Sequence, residues 1–205
     1  MKKLFLVFVS FFSVLTVQAH NLTEGKHYTA LTTAHSAQPE VVEFFSFYCP
    51  HCYSFEYEYK IPAKVKASLP QGVELKQYHV NFLGPQGENL TRAWSFAVAT
   101  GVEEKVKEAL FQAAQKNALR SMGDIRQIFL DKGIPAEQFD GGINSFAVTA
   151  LMNKQIHAAE ELKVRGVPDF YINNRYRVKP EGLSTNSNEA FVKDYVETVK
   201  GLLQK

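Results

Sequence analysis

Cysteine is scarce in this sequence: 205 residues carry two, Cys49 and Cys52. A framework of structural disulfides is excluded, because such frameworks spread several pairs along a chain. A bond across so short a loop would also add little chain-entropy stabilisation. The pair is therefore read as reactive rather than architectural. No second C-x-x-C and no H-x-x-x-H accompanies it, so a four-ligand zinc site lacks its ligands. Tyr53 stands where a c-type haem site needs a histidine. No metal or dissociable cofactor is expected. His20, His27, His35, His79 and His157 are scattered without ligand or triad spacing, and no signature of Ser-His-Asp catalysis is present.

An excess of either charge is also missing, with 23 basic residues against 21 acidic. The basic footprint that binds a nucleic-acid backbone is absent, so nucleic acid is not expected as a partner. Low-complexity tracts, Gly/Ser or Pro-rich linkers and repeats are lacking too, so any second domain must be inserted with short junctions.

The N-terminus has Lys2 and Lys3 ahead of an apolar run from Leu4 to Val17, then Val17-Gln18-Ala19. This reads as a cleaved secretory signal, residues 1–19. A membrane anchor would need about 20 apolar residues, and Gln18, His20 and Asn21 interrupt the run too early. Loss of the two lysines would make the remaining chain formally neutral.

Forty-five per cent of the residues are hydrophobic, enough for a sizeable core without disulfide staples. Val41 to Phe47 is β-branched and aromatic, apolar on both faces apart from Glu43, as a central buried strand would be. From Pro50 to about Leu69 a helix is expected, with Pro50 in its first turn, Pro62 kinking or restarting it, and Cys52, Phe55 and Tyr59 on one face. Val73 to Val80 reads as a second strand.

Residues 82–163 repeat apolar positions at spacings near three or four, which predicts four or five helices. They are punctuated at Gly101, Ser121-x-x-Asp124, Lys132-Gly133 and Gly141-Gly142. A hairpin follows, Phe170-Tyr171-Ile172 and Tyr176-Arg177-Val178 about Asn173-Asn174, then a final amphipathic helix with Phe191, Val192, Tyr195, Val199 and Leu202. The result is an α/β chain of two lobes, a mixed sheet flanked by helices and interrupted by a helical insert.

Cys49 follows the buried strand and opens a helix, where free backbone N–H groups and the helix dipole favour an anion. His51, placed beside the sulfur, would add to the same bias. Cys49 is thus expected to be the exposed, acidic thiol. Cys52, one turn on and inward, is expected to be an ordinary thiol suited to resolving a mixed disulfide. Stabilising the thiolate stabilises the dithiol form and makes the disulfide a stronger oxidant.

Glu43 to Cys52, Tyr78-His79-Val80-Asn81-Phe82 and Arg165-Gly166-Val167-Pro168, in this order with a helical region between, resemble the DsbA family of thiol-disulfide oxidoreductases. The resemblance covers essentially the whole chain after residue 19. It implies a thioredoxin-like fold, residues 20–81 and 164–205, with an inserted all-helical domain, 82–163. It also implies Cys49 as nucleophile within the Cys49-Pro50-His51-Cys52 active site, Cys52 as resolving thiol, and Pro168 as a cis-proline. The Pro168 loop, with Val167, would face the cysteines and bind substrate backbone.

Glu43 matches the family's buried acid. It reads equally as a proton acceptor for Cys52 and as a satisfied structural carboxylate. Glu56 matches a second acid. One departure is evident: where the family often has a lysine, this chain has Gln77, and Lys76 points to the other strand face. That weakens a buried Glu–Lys relay through Glu43.

Phe82 and Leu83 are suggested as borders of a peptide groove, and Tyr53, Phe55, Tyr57 and Tyr59 mostly as packing. Asn21-Leu22-Thr23 and Asn89-Leu90-Thr91 are read as chance glycosylation matches. The resemblance further implies a periplasmic monomer that oxidises cysteine pairs of newly exported proteins. It would be reoxidised by a DsbB-type, quinone-linked membrane oxidase. A disulfide isomerase or reductase, or a peptide-binding chaperone with a vestigial cysteine pair, are the alternatives.

Overall fold

The structure is a computed structural model, and it describes residues 21–205. The proposed signal segment and His20 lie outside the described residues. Five strands, β1 (Tyr28–Ala30), β2 (Val41–Phe45), β3 (Leu75–His79), β4 (Asp169–Ile172) and β5 (Tyr176–Val178), form one mixed sheet in the order β1-β5-β4-β2-β3. Strand β2 lies between parallel β3 and antiparallel β4, and all five of its residues are buried. This is the position its two-sided apolar sequence demands. β1 was not anticipated: with three residues paired only to β5, it is too short to carry a periodic signal.

One sheet face carries Val41, Glu43 and Phe45 of β2. Val41, with Phe170 and Ile172, packs under α2 (Ile61–Ser68) and α8 (Asn188–Leu203). Phe45 packs with Trp94, Phe96 and Phe111 from the helical region. The other face, carrying Val42 and Phe44, is covered by α7 (Phe146–Glu161) and its C-terminal continuation through Ala159, Leu162 and Val164. Glu43 therefore sits beneath the sheet's helical cover, between two apolar clusters.

The expected helix from 50 to 69 is broken into three pieces. α1 (Pro50–Tyr53) passes into a π-helical turn (Ser54–Glu58), and α2 restarts after Lys60, which adopts φ 55°. Pro62 lies in the first turn of α2, where its missing N–H is harmless. The expected common face of Cys52, Phe55 and Tyr59 is lost, because the wider π turn rotates later residues away from the α-helical phase. Cys52 joins the cluster on the insert side, whereas Phe55 and Tyr59 meet Phe191, and Phe55 also meets Tyr195 of α8.

Between β3 and β4 lie α3 (Gly87–Thr100), α4 (Glu103–Gln115), α5 (Met122–Asp131), α6 (Ala136–Gly142) and α7. Gly101 ends α3 in the left-handed conformation, as expected. Ser121 does precede α5, but its hydroxyl caps nothing; Asp124 instead accepts the Arg120 backbone N–H at 2.8 Å. The insert also closes the sheet edge. Trp94 Nε1–H donates to the Gln77 carbonyl at 2.8 Å, and the Gln155 side-chain oxygen accepts the His79 N–H at 2.8 Å. These side chains use hydrogen-bonding groups that edge strand β3 would otherwise leave open.

Replacing Gln155 by Ala strands the buried His79 N–H, which should destabilise the fold by about 1–3 kcal/mol. Urea unfolding measures this. Unchanged stability would mean that the edge does not need the insert's side chains.

Candidate active site

The loop out of β2 is held before the cysteines are reached. His79 accepts the Phe47 backbone N–H on Nε2 at 3.2 Å, while its Nδ1 lies 2.9 Å from Thr91 Oγ1. The Thr91 hydroxyl donates to the Gly87 carbonyl, so Nδ1 must carry the histidine proton. Burial depresses the His79 pKa to about 3, and the ring stays neutral, stacked on Phe47. It is a structural clamp, in agreement with its reading as a strand residue. Beyond it, Tyr48 lies against Gly84, where even a Cβ atom would fall 2.2 Å from the ring.

Cys49 is the N-cap of α1, with φ −89° and ψ 115°, and its sulfur accepts the Cys52 backbone N–H at 3.3 Å. Sulfur here takes the place usually filled by a serine or aspartate oxygen. When protonated, the same sulfur donates to the Val167 carbonyl at 3.2 Å. Val167 precedes Pro168 across a cis peptide bond. The cis-proline loop expected from sequence therefore does face Cys49.

The two cysteines are free thiols with unequal surroundings. The Cys49 pKa is lowered to about 6, chiefly by a hydrogen bond from the Cys52 thiol; burial opposes this, and the backbone N–H groups of Cys52 and His51, then the His51 charge, reinforce it. Burial and the neighbouring Cys49 push the Cys52 pKa far up. The helix start and His51, expected from sequence, contribute less than the Cys52 thiol, for which the C-x-x-C spacing of one turn is the sequence signal. Cys49 is also more sheltered than the expected exposed thiol, at 9% exposure against 1% for Cys52. The Val167 carbonyl faces its sulfur. Pro50 occupies the first helical position as expected, and His51 is exposed.

Beneath Cys52, Glu43 is buried and its pKa is raised to about 8, first by burial and then by Glu56; a hydrogen bond from Gln77 and the charge of Lys107 pull the other way. Gln77 Nε2 donates to Glu43 Oε2 at 2.7 Å and to Glu56 Oε2 at 2.8 Å. Lys107, from α4, donates to the Gln77 side-chain oxygen at 2.9 Å and to Glu56 at 3.1 Å. The lysine missing from β3 is thus replaced by a Gln–Lys pair. Lys107 was not recognised from sequence, yet it occupies the apolar stripe of α4 with Leu110, Phe111 and Ala114. Asp169, directly after Pro168, was also missed: Arg177 grips both its oxygens at 2.9 and 2.8 Å, and Tyr171 donates at 3.0 Å.

An N-capping sulfur, a second thiol one turn on, and the facing Val167 carbonyl before a cis-proline form a constellation that can exchange a disulfide. A family model described as the DSBA-like thioredoxin domain matches residues 40–197. This chain belongs to that family. It is 66% identical over 187 residues to the thiol:disulfide interchange protein DsbA of Haemophilus influenzae, covering 91% of this chain and 90% of that one. It is 42% identical to the Escherichia coli protein of the same name, over the full length of both. A solved structure of a Proteus mirabilis DsbA variant with a non-covalently bound peptide superposes with a TM-score of 0.87 at 43% identity, covering 91% of this chain and all of that one. The thioredoxin fold with a helical insert, expected from sequence, is the fold of this family, and the chain is an oxidoreductase of the DSBA-like kind.

Alkylation of reduced protein by iodoacetamide should modify Cys49 with a midpoint near pH 6, leave Cys52 unmodified, and shift upward in His51→Ala. A midpoint near that of a free thiol would contradict the geometry described. Glu43 makes a second prediction. Its pKa is raised in the folded state, from 4.5 to about 8, so its stabilising contribution is complete below the lower value and is lost as pH rises through the upper one. Glu43→Gln should therefore stabilise the protein by about 3 kcal/mol at pH 7 and by nothing near pH 4. Chemical denaturation of both proteins across this range measures the difference, and a pH-independent difference would sink the idea.

Proposed function

We propose that the chain donates a Cys49–Cys52 disulfide to cysteine pairs of newly exported proteins during their oxidative folding. The observation that carries this reading is the inequality of the two thiols. Cys49 gains as a thiolate from the Cys52 thiol and the first backbone N–H groups of α1, whereas burial keeps Cys52 protonated. Stabilising the Cys49 thiolate stabilises the dithiol form, so the disulfide form is the stronger oxidant.

In the forward reaction a substrate thiolate attacks the Cys49 sulfur. The Cys49–Cys52 bond breaks, a mixed disulfide with Cys49 forms, and Cys52 leaves as a thiolate that takes up a proton. Glu43, largely protonated at neutral pH, is the donor for that step. The substrate's second thiolate then attacks its own sulfur in the mixed disulfide and releases Cys49 as its stabilised thiolate. Pro50 fixes the start of α1, His51 presents its N–H and charge to the sulfur, and the Val167–Pro168 loop binds extended substrate backbone across from it. The peptide bound non-covalently to the Proteus mirabilis DsbA variant supports peptide binding by this chain.

A periplasmic location, with residues 1–19 as the removed signal, fits this activity. Residues 20–81 and 164–205 then form the redox domain and 82–163 its insert. A DsbB-type, quinone-linked membrane oxidase is the proposed route back to the disulfide, and the enzyme works as a monomer without a bound cofactor.

The test pairs two variants on a reduced, unfolded substrate with several cysteines. Cys49→Ser should abolish disulfide transfer. Cys52→Ala, once activated as a mixed disulfide with glutathione, should accumulate covalent substrate adducts through Cys49 that reductant releases. Redox equilibration of wild type with glutathione should leave the chain mostly reduced at ratios that keep thioredoxin oxidised. A potential as reducing as thioredoxin's would overturn disulfide donation and favour the reductase alternative.

A further inference from the structure

Helix α4 belongs to the insert, far along the chain from the cysteines, yet it delivers a cation to the groups beneath Cys52. The Lys107 side chain is 4% exposed. Its three ammonium hydrogens have three acceptors: Glu56 at 3.1 Å, the Gln77 carboxamide oxygen at 2.9 Å and Glu104 at 3.3 Å, and the charge lies 5.7 Å from the centre of the Trp94 ring. Burial opposes the charge, but Glu56 and Glu104 hold the pKa above an ordinary lysine's, so the group is an ammonium.

This arrangement decides which way Gln77 faces. A carboxamide has a donor end and an acceptor end of almost equal size. With the ammonium on one side and the Glu43 and Glu56 oxygens on the other, only one orientation pairs every group: oxygen to Lys107, N–H to both carboxylates. Without Lys107, nothing in the cluster would reward the oxygen for pointing that way. The groups facing Glu43 are Cys52 on α1, Glu56 on the π-helical turn, Gln77 on β3, Lys107 on α4, and the buried Tyr195 on α8, whose hydroxyl feels the Glu43 charge. Lys107 is the single cation among them.

We propose that Lys107 is a positioning residue: by anchoring the oxygen end of Gln77 it fixes the amide N–H on Glu43, so that the insert sets how readily Glu43 exchanges a proton with Cys52. The inference rests on reading Glu43 as the proton partner of Cys52. It concerns mainly the resolving step of reoxidation. There the oxidant is joined to Cys49 in a mixed disulfide, and Cys52 passes its proton to the Glu43 carboxylate while its sulfur attacks the Cys49 sulfur. The Cys49–Cys52 bond forms, the bond to the oxidant breaks, and the oxidant leaves as a thiolate. Loss of the Lys107 charge and of the Gln77 orientation leaves Glu43 protonated to higher pH and unable to accept. An open groove of about 700 Å3 between α2, β3 and the insert is lined by Glu56, Gln77 and Lys107 but by neither cysteine. It provides a solvent-facing side from which this proton is exchanged.

The experiment follows reoxidation of the reduced full chain by oxidised glutathione, with acid quenching and mass counting of the mixed-disulfide and disulfide forms, over a series of pH values. In Lys107→Met the resolving step should slow about three- to tenfold at neutral pH and recover at alkaline pH, the effect of moving a base by up to one pH unit. Lys107→Arg should restore the wild-type profile. Gln77→Leu should reproduce the slowing, and the double variant should be no slower than either single one, because both act through the same amide. The alkylation midpoint of Cys49 should stay where it is in Lys107→Met, which also verifies that the site is intact. An unmoved pH profile, additive losses in the double variant, or an equal shift at Cys49 would each overturn the role of Lys107. Glu43→Gln separates the two layers. If it slows resolution while Lys107→Met does not, the proposal for Lys107 alone is wrong, and if it too leaves resolution unchanged, the proton role of Glu43 falls first.

Discussion

Burial of β2 on both faces is the constraint from which the rest of the molecule follows. A strand whose five residues are all covered must be flanked by other strands on both edges and by helices above and below. Its C-terminal end is therefore a fixed point, and the chain leaving it runs directly into Cys49. The same burial takes a carboxylate, Glu43, out of water in the middle of that strand, where its ionisation is expensive unless neighbours compensate. One packing requirement thus places the Cys49 sulfur and raises the proton affinity of the acid at Glu43.

The helical insert has three roles in this frame. Its apolar side chains extend the core over Phe45 and Phe47. Its polar side chains, Trp94 and Gln155, satisfy the edge of β3. Thr91 fixes the tautomer of His79 and so the loop that precedes the cysteines. The helices inserted between β3 and β4 thus bear on the strand and the loop that lead into Cys49.

Much of this was legible because it depends on local patterns. The apolar run of β2, the Asn173-Asn174 turn with φ 54° and 55°, and the helix stop at Gly101 each carry their signal within a few residues. The C-x-x-C pair with the cis-proline segment was legible through family resemblance. What escaped depends on tertiary neighbours. The π-helical turn at Ser54–Glu58 breaks a phase that an α-helical count assumes. Lys107 is a charged residue on an apolar helix face, and its meaning appears only when Glu56 and Gln77 are brought to it from two other elements. The Asp169–Arg177 pair joins two strands of a hairpin whose register sequence suggests, but whose burial it does not.

The carbonyl that faces the Cys49 sulfur comes from Val167, 118 residues later. Strands β4 and β5 likewise enter the sheet between β1 and β2, which were made long before them. A chain emerging from the ribosome therefore carries two cysteines just beyond a strand that has no partner on one side, with no facing loop yet made. The surface that faces the Cys49 sulfur is complete only when the segment from Val167 onward has arrived and docked into the middle of the sheet.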